Sequence, residues 1–383
     1  MRIYLDNAAT TPLREEVIEV MHQCMKENFG NPSSIHADGR KVRAAIEEAR
    51  KKVARLLGAS IGEIFFTSGG TESNNMVIKG AVRDLGVRRI ISSPTEHHNV
   101  FRPLEIVEKQ GVQVDWVKLD ERGRVDYDHL EQLLQDTNDK KTMVSLMHAN
   151  NEIGTVHDMQ RISTLCQNHG ALYHSDTVQT IGHLPIDVSK TKINFLAGGA
   201  HKFHGPKGCG FVYINNETQL KPYLDGGAQE RNMRGGTENV YGIVGLAKAM
   251  ELACENMETY RAYIEHLRGY FMQKLQERFE DIRFNGDYDG NYLFTVLSVS
   301  FPPSPKSELM VLQLDIAGIS ASGGSACSSG AETGSHVLDA IGADPQRKTI
   351  RFSFSHFNTK AEIDFALEKL AGMVEAKKTV IPA

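Results

Sequence analysis

Lys202 is the residue whose surroundings most favour covalent chemistry. It lies in the loop 200–208, which follows an apolar run and the pair Gly198 and Gly199. Glycines let a ligand approach the backbone, and a lysine amine held at such a turn can form a Schiff base with a carbonyl compound. A solvated surface lysine is the simpler interpretation of this loop alone, because lysine is seldom buried. The rest of the chain decides between the two interpretations.

Polar groups that suit a ligand site also follow other predicted strands. Gly70 and Thr71 lie in a glycine turn before a helix predicted over 75–85. Free N–H groups at the start of a helix favour an anion, although such a turn is often only structural. Asp176 ends an apolar run, and its carboxylate could keep a pyridine nitrogen protonated or could cap a helix. His97 could act as an acid or base, stack on a ring or be a structural histidine. No third ligand has suitable spacing for a metal site at His97 and His98, so none is predicted.

The alternation of predicted elements brings these groups together. Between residues 63 and 200, short apolar strands alternate with amphipathic helices, which predicts an α/β fold with a mostly parallel sheet. Ligands bind such sheets beyond the carboxyl ends of the strands. The residues predicted to lie there are Gly70, Thr71, His97, Asn151, Asp176, Gln179, His201 and Lys202. Their convergence indicates a site more strongly than any single motif does.

Chain length predicts two domains, because 383 residues exceed the size at which one hydrophobic core stops growing. We predict a large domain over 15–250 and a smaller α+β domain formed by 1–14 and 251–383. One or two long helices are expected over 240–278, as a bridge between them. The small domain carries a glycine- and serine-rich segment that contains Cys327.

Composition argues against several classes of protein. The net charge of −5 leaves no electrostatic footprint for nucleic acid, and no apolar run approaches the roughly 20 residues of a membrane span. The first residues lack the apolar region of a signal peptide. The five cysteines form no C-x-x-C pair, which argues against a disulfide framework or zinc ribbon and favours a reducing cytoplasm.

Several separated motifs give a specific resemblance. In chain order they are YLDNAATTP at 4–12, TSGGTESNN at 67–75, TEHH at 95–98, NNEIG at 150–154, HKFHGPKG at 201–208, RGGTENV at 234–240 and GSACSSG at 324–330. Together they resemble the cysteine desulfurases, which are pyridoxal-phosphate enzymes of the class V aminotransferase superfamily with the aspartate-aminotransferase fold (fold type I). The closest likeness is to the branch that serves nitrogen fixation and iron–sulfur cluster assembly.

The resemblance implies a role for each candidate residue at the cofactor. Lys202 would carry pyridoxal phosphate and later move the proton of the substrate α-carbon. Asp176 would pair with the pyridine nitrogen, and His97 would stack on the ring and shuttle protons. The implied cofactor-binding residues are Lys202, Gly70, Thr71, His97, Asn151, Asp176, Gln179, His201 and Thr237. Thr237 would come from the partner subunit, which implies a homodimer.

The resemblance also implies how L-cysteine is bound and desulfurated. Arg351 would clamp the substrate carboxylate, with Asn151 and Asn31 as further candidates. Without the resemblance, strand alternation makes Arg351 a solvent-facing residue. Cys327 would take the sulfur as a persulfide, release alanine and pass the sulfur to an acceptor or iron–sulfur scaffold protein. Its small neighbours favour exposure, and a glycine-rich loop can swing; the other four cysteines are expected to be structural.

One departure and several alternatives accompany this resemblance. The family usually has a phosphate-binding serine three residues before the lysine, whereas this chain has Gly199. A selenocysteine lyase or transaminase on the same fold is the alternative enzyme, and a scaffold protein without activity is the alternative from another class. The sequence leaves open the sulfur acceptor, and whether the role is specific to nitrogenase or housekeeping.

Overall fold

The computed structural model describes residues 2–136, 140–305, 307, 309–323 and 334–374. Cys327 and the motif at 324–330 therefore lie outside the described residues. Within the described part of the chain, no helix is both long and apolar enough to cross a membrane.

Strands and helices alternate through the first two-thirds of the chain. The strands are β1 (Ile3–Tyr4), β2 (Ile64–Thr67), β3 (Arg89–Ser92), β4 (Gln113–Trp116), β5 (Thr142–Ser145), β6 (Leu172–Asp176), β7 (Phe195–Gly199), β8 (Gly210–Ile214), β9 (Arg283–Asn285), β10 (Val296–Phe301), β11 (Ile319–Ser320) and β12 (Lys348–Ser353). The α-helices are α1 (Glu15–Glu27), α2 (Ala37–Leu57), α3 (Gly70–Asp84), α4 (His98–Lys109), α5 (Tyr127–Gln135), α6 (Met159–Asn168), α7 (Val240–Glu255), α8 (Met257–Arg278), α9 (Met310–Ile316), α10 (His336–Ala340) and α11 (Lys360–Leu370).

The large sheet confirms the predicted α/β fold. Its strand order is β2-β8-β7-β6-β5-β3-β4 among the described residues. From β7 to β4 all neighbours are parallel, and β8 runs antiparallel to both of its neighbours. Strands β3, β5 and β7 are buried along their whole length, as expected when helices cover both faces of a parallel sheet.

The two largest apolar cores of the described residues belong to different parts of the chain. One packs α2, α6 and α7 against the large sheet. The other packs α8 and α11 against β10 and β12 and includes Ile3 and Leu5 from the N-terminal segment. These cores agree with the large domain over 15–250 and the small domain of 1–14 and 251–383, whose boundaries stay a prediction.

Two element boundaries differ from the sequence prediction, and both differences involve glycine. Helix α3 begins at Gly70 rather than near residue 75, because Gly69 makes the whole turn with a φ of 150°. Strand β7 extends through Gly198 and Gly199, which the sequence suggested were part of a loop. A Cβ on Gly198 would lie 2.4 Å from the Phe211 ring, so the missing side chain lets that ring pack against the strand.

Candidate active site

One cavity of about 310 Å³ lies beyond the carboxyl ends of β2, β3, β5, β6 and β7. That volume suits a small ligand. Its lining residues are Ala8, Ala9, Gly70, Thr71, His97, His98, Asn99, Met147, Ala149, Asn151, Glu152, Asp176, Val178, Gln179, His201, Lys202, His336 and Arg351. All the residues predicted to lie at strand ends therefore line this one cavity.

Lys202 is half-buried and points toward the N-terminal segment. A short 3-10 turn, Ala200–Lys202, follows β7 directly and places the lysine in the cavity. Its Nζ donates to the carbonyl oxygens of Ala8 at 2.5 Å and Ala9 at 2.8 Å. Gln179 Nε2 also donates to the Ala8 oxygen, at 3.0 Å. The N-terminal segment thus forms a floor that holds the amine in place.

Asp176 lies at the end of the cavity that we call the carboxylate end, formed by Asp176, Asn74 and His174. The Asp176 side chain is buried, and it accepts from Val178 N at 2.9 Å and from Asn74 Nδ2 at 2.7 Å. Glu96 is also fully buried, and burial, reinforced by the charge of Asp176, raises the pKa of Glu96 well above its usual range. Of these two carboxyl groups only Asp176 lines the cavity, so it is the one suited to face a protonated ring nitrogen.

The opposite end is formed by Gly70, Thr71 and Gly199, and we call it the amide end. The first N–H groups of α3 have no acceptor within the helix, and together with the helix dipole they suit an anion. A Cβ on Gly199 would lie 3.6 Å from Gly70 N, so the end of β7 closely approaches the start of α3. His201 lies beside this end, and burial, with the charge of Lys202, lowers its pKa to about 4. Its imidazole is therefore neutral at pH 7.

Arg351 is buried, which corrects the solvent-facing position that strand alternation alone suggests. Only 2 % of it is exposed, because the N-terminal segment covers this face of β12. Its Nη2 donates to Asp6 Oδ1 at 2.8 Å and its Nη1 to the Asn151 carbonyl at 3.0 Å. Among the described residues, its Nε has no hydrogen-bond partner. A guanidinium held this way can receive a carboxylate from the cavity.

Two predicted residues lie outside the cavity. Asn31 is exposed, and its Oδ1 accepts from Ser33 N at 2.9 Å, so the structure does not bring it to the site. Thr237 is also exposed, in the segment before α7. Its predicted role concerns a partner subunit, so that role stays a prediction, as does that of Cys327.

Sequence reasoning missed several residues in or beside the cavity. Ser335 Oγ donates to Glu152 Oε2 at 2.5 Å, and His336 Nε2 pairs with the Glu96 carbonyl at 2.9 Å. The His336 ring also lies 4.8 Å from that of His98. Glu152 belongs to a recognised motif, NNEIG, and could have been suspected. His336 had no local signal, since only the tertiary fold brings α10 to the cavity.

Three of the cysteines in the described part of the chain are poor nucleophiles. Cys166 and Cys209 are buried, and Cys254 is half-buried. Burial raises the pKa of Cys209 to about 12 and that of Cys254 to about 11, and it raises the pKa of Cys166 as well. Thiols of this kind stay protonated at pH 7 and react slowly. This agrees with their expected structural role.

Comparisons with known proteins cover nearly the whole chain. The Aminotransferase class-V family model matches residues 3–365. A cysteine desulfurase IscS from Dictyoglomus turgidum is 44 % identical, with 99 % of this chain and 96 % of that protein aligned. A putative cysteine desulfurase IscS 1 from Bacillus subtilis is 41 % identical over 98 % and 99 % of the two chains.

Solved structures show the same likeness. A NifS-like protein superposes with a TM-score of 0.88 at 38 % identity, covering 97 % of this chain and 98 % of that one. The structure of SspA in complex with cysteine superposes with a TM-score of 0.80 at 31 % identity, covering 94 % and 100 %.

Proposed function

This chain belongs to the class-V aminotransferase family, and we propose that it is a pyridoxal-phosphate-dependent cysteine desulfurase that supplies sulfur for iron–sulfur clusters. Full-length similarity to cysteine desulfurases supports the activity. The observation that carries the proposal is the cavity, which gathers Lys202, Asp176 and Arg351 around one volume of about 310 Å³. An amine, a buried carboxylate and a buried guanidinium are the groups that this reaction needs.

The side chains around the cavity fit pyridoxal phosphate. Lys202 would hold the cofactor covalently, Asp176 would face its ring nitrogen, and the amide end with His201 would bind its phosphate. The close approach of β7 to Gly70 N leaves a cradle suited to a phosphate group. When bound, this cofactor supplies an electron sink for negative charge on the substrate α-carbon.

The protein's own groups would bind L-cysteine and move its proton. Arg351 would bind the substrate carboxylate through the N–H groups that do not donate to Asp6 or Asn151. Lys202 Nζ, held by the Ala8 and Ala9 carbonyls, would carry the α-carbon proton. Among the described lining residues only Thr71 is exposed, and the others are buried or half-buried, so that amine is partly screened from bulk water.

The sulfur transfer is assigned to Cys327. Its thiolate attacks the substrate sulfur, a sulfur–sulfur bond forms and the carbon–sulfur bond breaks. The electron pair and a proton go to the substrate carbon, so cysteine becomes alanine while Cys327 keeps the sulfur as a persulfide. The high pKa values of Cys209 and Cys254 support this choice. The persulfide then passes to an acceptor or scaffold protein.

The proposal includes a cytoplasmic homodimer. Thr237 is exposed in the single chain, so it is accessible to a second copy, whose phosphate site it would complete. Asn31 stays a weaker candidate for the substrate carboxylate, because it does not line the cavity of the single chain.

The decisive experiment measures alanine and persulfide together. Purified protein is incubated with L-cysteine, alanine is quantified, and the persulfide is mapped by mass spectrometry. We expect a persulfide on Cys327, and borohydride reduction should leave a pyridoxyl group on Lys202. Cys254→Ala is the matched control and should keep full activity. If Cys327→Ala released sulfide from cysteine at the wild-type rate, a selenocysteine lyase or transaminase would replace the proposal.

A further inference from the structure

A buried chain of hydrogen bonds holds the Asp176 carboxylate from behind. Asn74 Nδ2 lies 2.7 Å from Asp176 Oδ2, and Asn74 Oδ1 lies 3.0 Å from His174 Nε2. The other ring nitrogen of His174 lies 2.9 Å from Ser145 Oγ. Asn74 and His174 are 0 % exposed and Ser145 is 1 % exposed. Solvent therefore cannot replace any of these bonds.

If Asp176 is ionised, the donor and the acceptor of each hydrogen bond in this chain are fixed. A carboxylate only accepts, so Asn74 must turn its NH₂ group toward Asp176 and its oxygen toward His174. His174 must then carry its proton on Nε2, which leaves Nδ1 to accept from the Ser145 hydroxyl. Burial lowers the pKa of His174 to about 3, so the ring is neutral and keeps one tautomer. Each member thus fixes the orientation of the next.

The fold places these residues on three elements. His174 and Asp176 lie two residues apart on β6 and so share one face, and Ser145 on β5 is the register partner of His174. Asn74 lies one helical turn after Gly70 on α3. The same helix therefore contacts both ends of the cavity.

We propose that Asn74 and His174 are positioning residues that keep the Asp176 carboxylate oriented toward the cofactor's ring nitrogen. Val178 N and Asn74 Nδ2 each donate to a different oxygen of the Asp176 carboxylate, which fixes the plane of that carboxylate. Without His174, no ring N–H would hold the Asn74 oxygen, so the Asn74 amide could rotate out of line with the Asp176 carboxylate. This inference rests on the proposed function for its ligand, but its geometry does not involve Cys327 or the sulfur step.

The test uses variants of the holoenzyme that separate a donated hydrogen bond from mere filling of space. His174→Phe fills the site without a donor, whereas His174→Gln can place an amide N–H where Nε2 was. His157→Phe is the matched control, since His157 is an equally buried histidine, with a pKa lowered by burial to about 4, outside the chain of bonds. Without cysteine, the visible absorption band of bound pyridoxal phosphate is titrated against pH. With cysteine, kcat and KM are measured separately.

We expect His174→Phe to shift the pH titration of the band and to lower kcat about tenfold, with KM changed less than about threefold, because the hydrogen bond from Asn74 to the charged Asp176 is no longer held in line. His174→Gln should stay within about threefold of wild type, and His157→Phe should match wild type. Should His174→Phe not fold, Ser145→Ala removes one hydroxyl and should shift the band in the same direction by less.

The proposal would be overturned by an unchanged titration of the band in both His174→Phe and Ser145→Ala. It would also be overturned if His174→Gln and His174→Phe lowered kcat equally. Failure of the proposed function looks different. Wild-type protein would then bind pyridoxal phosphate and show the spectral effect of the variants while making no alanine from cysteine.

Discussion

The carboxylate end and the amide end of the cavity are built in opposite ways. At the carboxylate end, Asp176, Asn74 and His174 are buried side chains that bond one another. At the amide end, Thr71 is exposed, and Gly70 and Gly199 contribute no side chains. The protein thus fixes in its own core the charge that would tune reactivity. In the proposed function, anion binding would depend on backbone N–H groups, on His201 and, in the proposed dimer, on Thr237 of a second copy.

The largest effect should come from the remote support of the amide end. Arg50 and Glu230 form a buried pair with bonds of 2.7 and 2.9 Å, and Glu230 also accepts from Phe66 N at 2.7 Å. Glu230 has a φ of 44° in the left-handed turn that leads to Thr237. Glu230→Ala removes the partner that holds the buried Arg50 with two hydrogen bonds and leaves Glu47 to pair with it, so we expect unfolding free energy to fall by up to about 3–5 kcal/mol in urea titrations.

Glu105→Ala is the control for that variant, because Glu105 pairs with Arg102 at the surface. It should cost less than about 1 kcal/mol. Equal losses in the two variants would mean that the amide end has no buried support of this kind.

The next effect contrasts the two ends directly. Asp176→Asn removes the charge at the carboxylate end, and we expect kcat for alanine formation to fall about a hundredfold. Thr71→Ala removes one exposed hydroxyl among several donors, so the Kd for pyridoxal phosphate should rise by less than tenfold, roughly, with little change in kcat. A larger loss of kcat in Thr71→Ala than in Asp176→Asn would reverse the comparison.

The carboxylate end should also make stability sensitive to acid. Burial lowers the pKa of His174 from 6.5 to about 3. Between these pH values, His174 is protonated in the unfolded chain and neutral in the folded chain. Stability from this group is therefore complete above pH 6.5 and is lost as pH falls. His174→Gln should flatten the decline in unfolding free energy by up to about 1.4 kcal/mol per pH unit. Thr71→Ala, which titrates nothing, should leave the slope unchanged.

The smallest effect should be a gain at the amide end. A Cβ on Gly199 would meet Val178 Cγ1 at 3.4 Å and Gly70 N at 3.6 Å, which are ordinary contacts. The Cβ of Gly199→Ser is therefore accommodated, and its hydroxyl is added beside the anion site. We expect the Kd for pyridoxal phosphate, measured by equilibrium dialysis, to fall roughly threefold to tenfold. Gly199→Ala adds the same Cβ alone and should leave the Kd unchanged; an equal gain from alanine would exclude a role for the hydroxyl.

Sequence reasoning succeeded where function lies at the ends of strands. The alternating pattern predicted the parallel sheet, and it placed Gly70, Asp176 and Lys202 at one edge, where the structure has them. These positions follow from local periodicity and from one topological rule, so no tertiary detail was needed.

Sequence reasoning failed where a distant part of the chain packs over a strand or helix and buries its side chains. Arg351 lies on the polar side of an alternating strand, and only the N-terminal segment makes that side buried. Asn74 and His174 looked like ordinary helix and strand residues, because their partners are about a hundred positions apart in the chain. His336 reaches the cavity from a different core, and no local pattern predicts such a contact.

The cavity floor has a consequence for how the chain is made. Ala8 and Ala9 support Lys202, yet Ala8 N bonds Ser353 Oγ at 2.8 Å, and Ile3 pairs with Ile319. The large sheet is complete once Ile214 has emerged from the ribosome, and domains tend to fold as units during synthesis. In a nascent chain, the large sheet would therefore be complete before the N-terminal segment is held in place beneath Lys202. Cofactor binding would then follow only after the last strand, β12, has been translated.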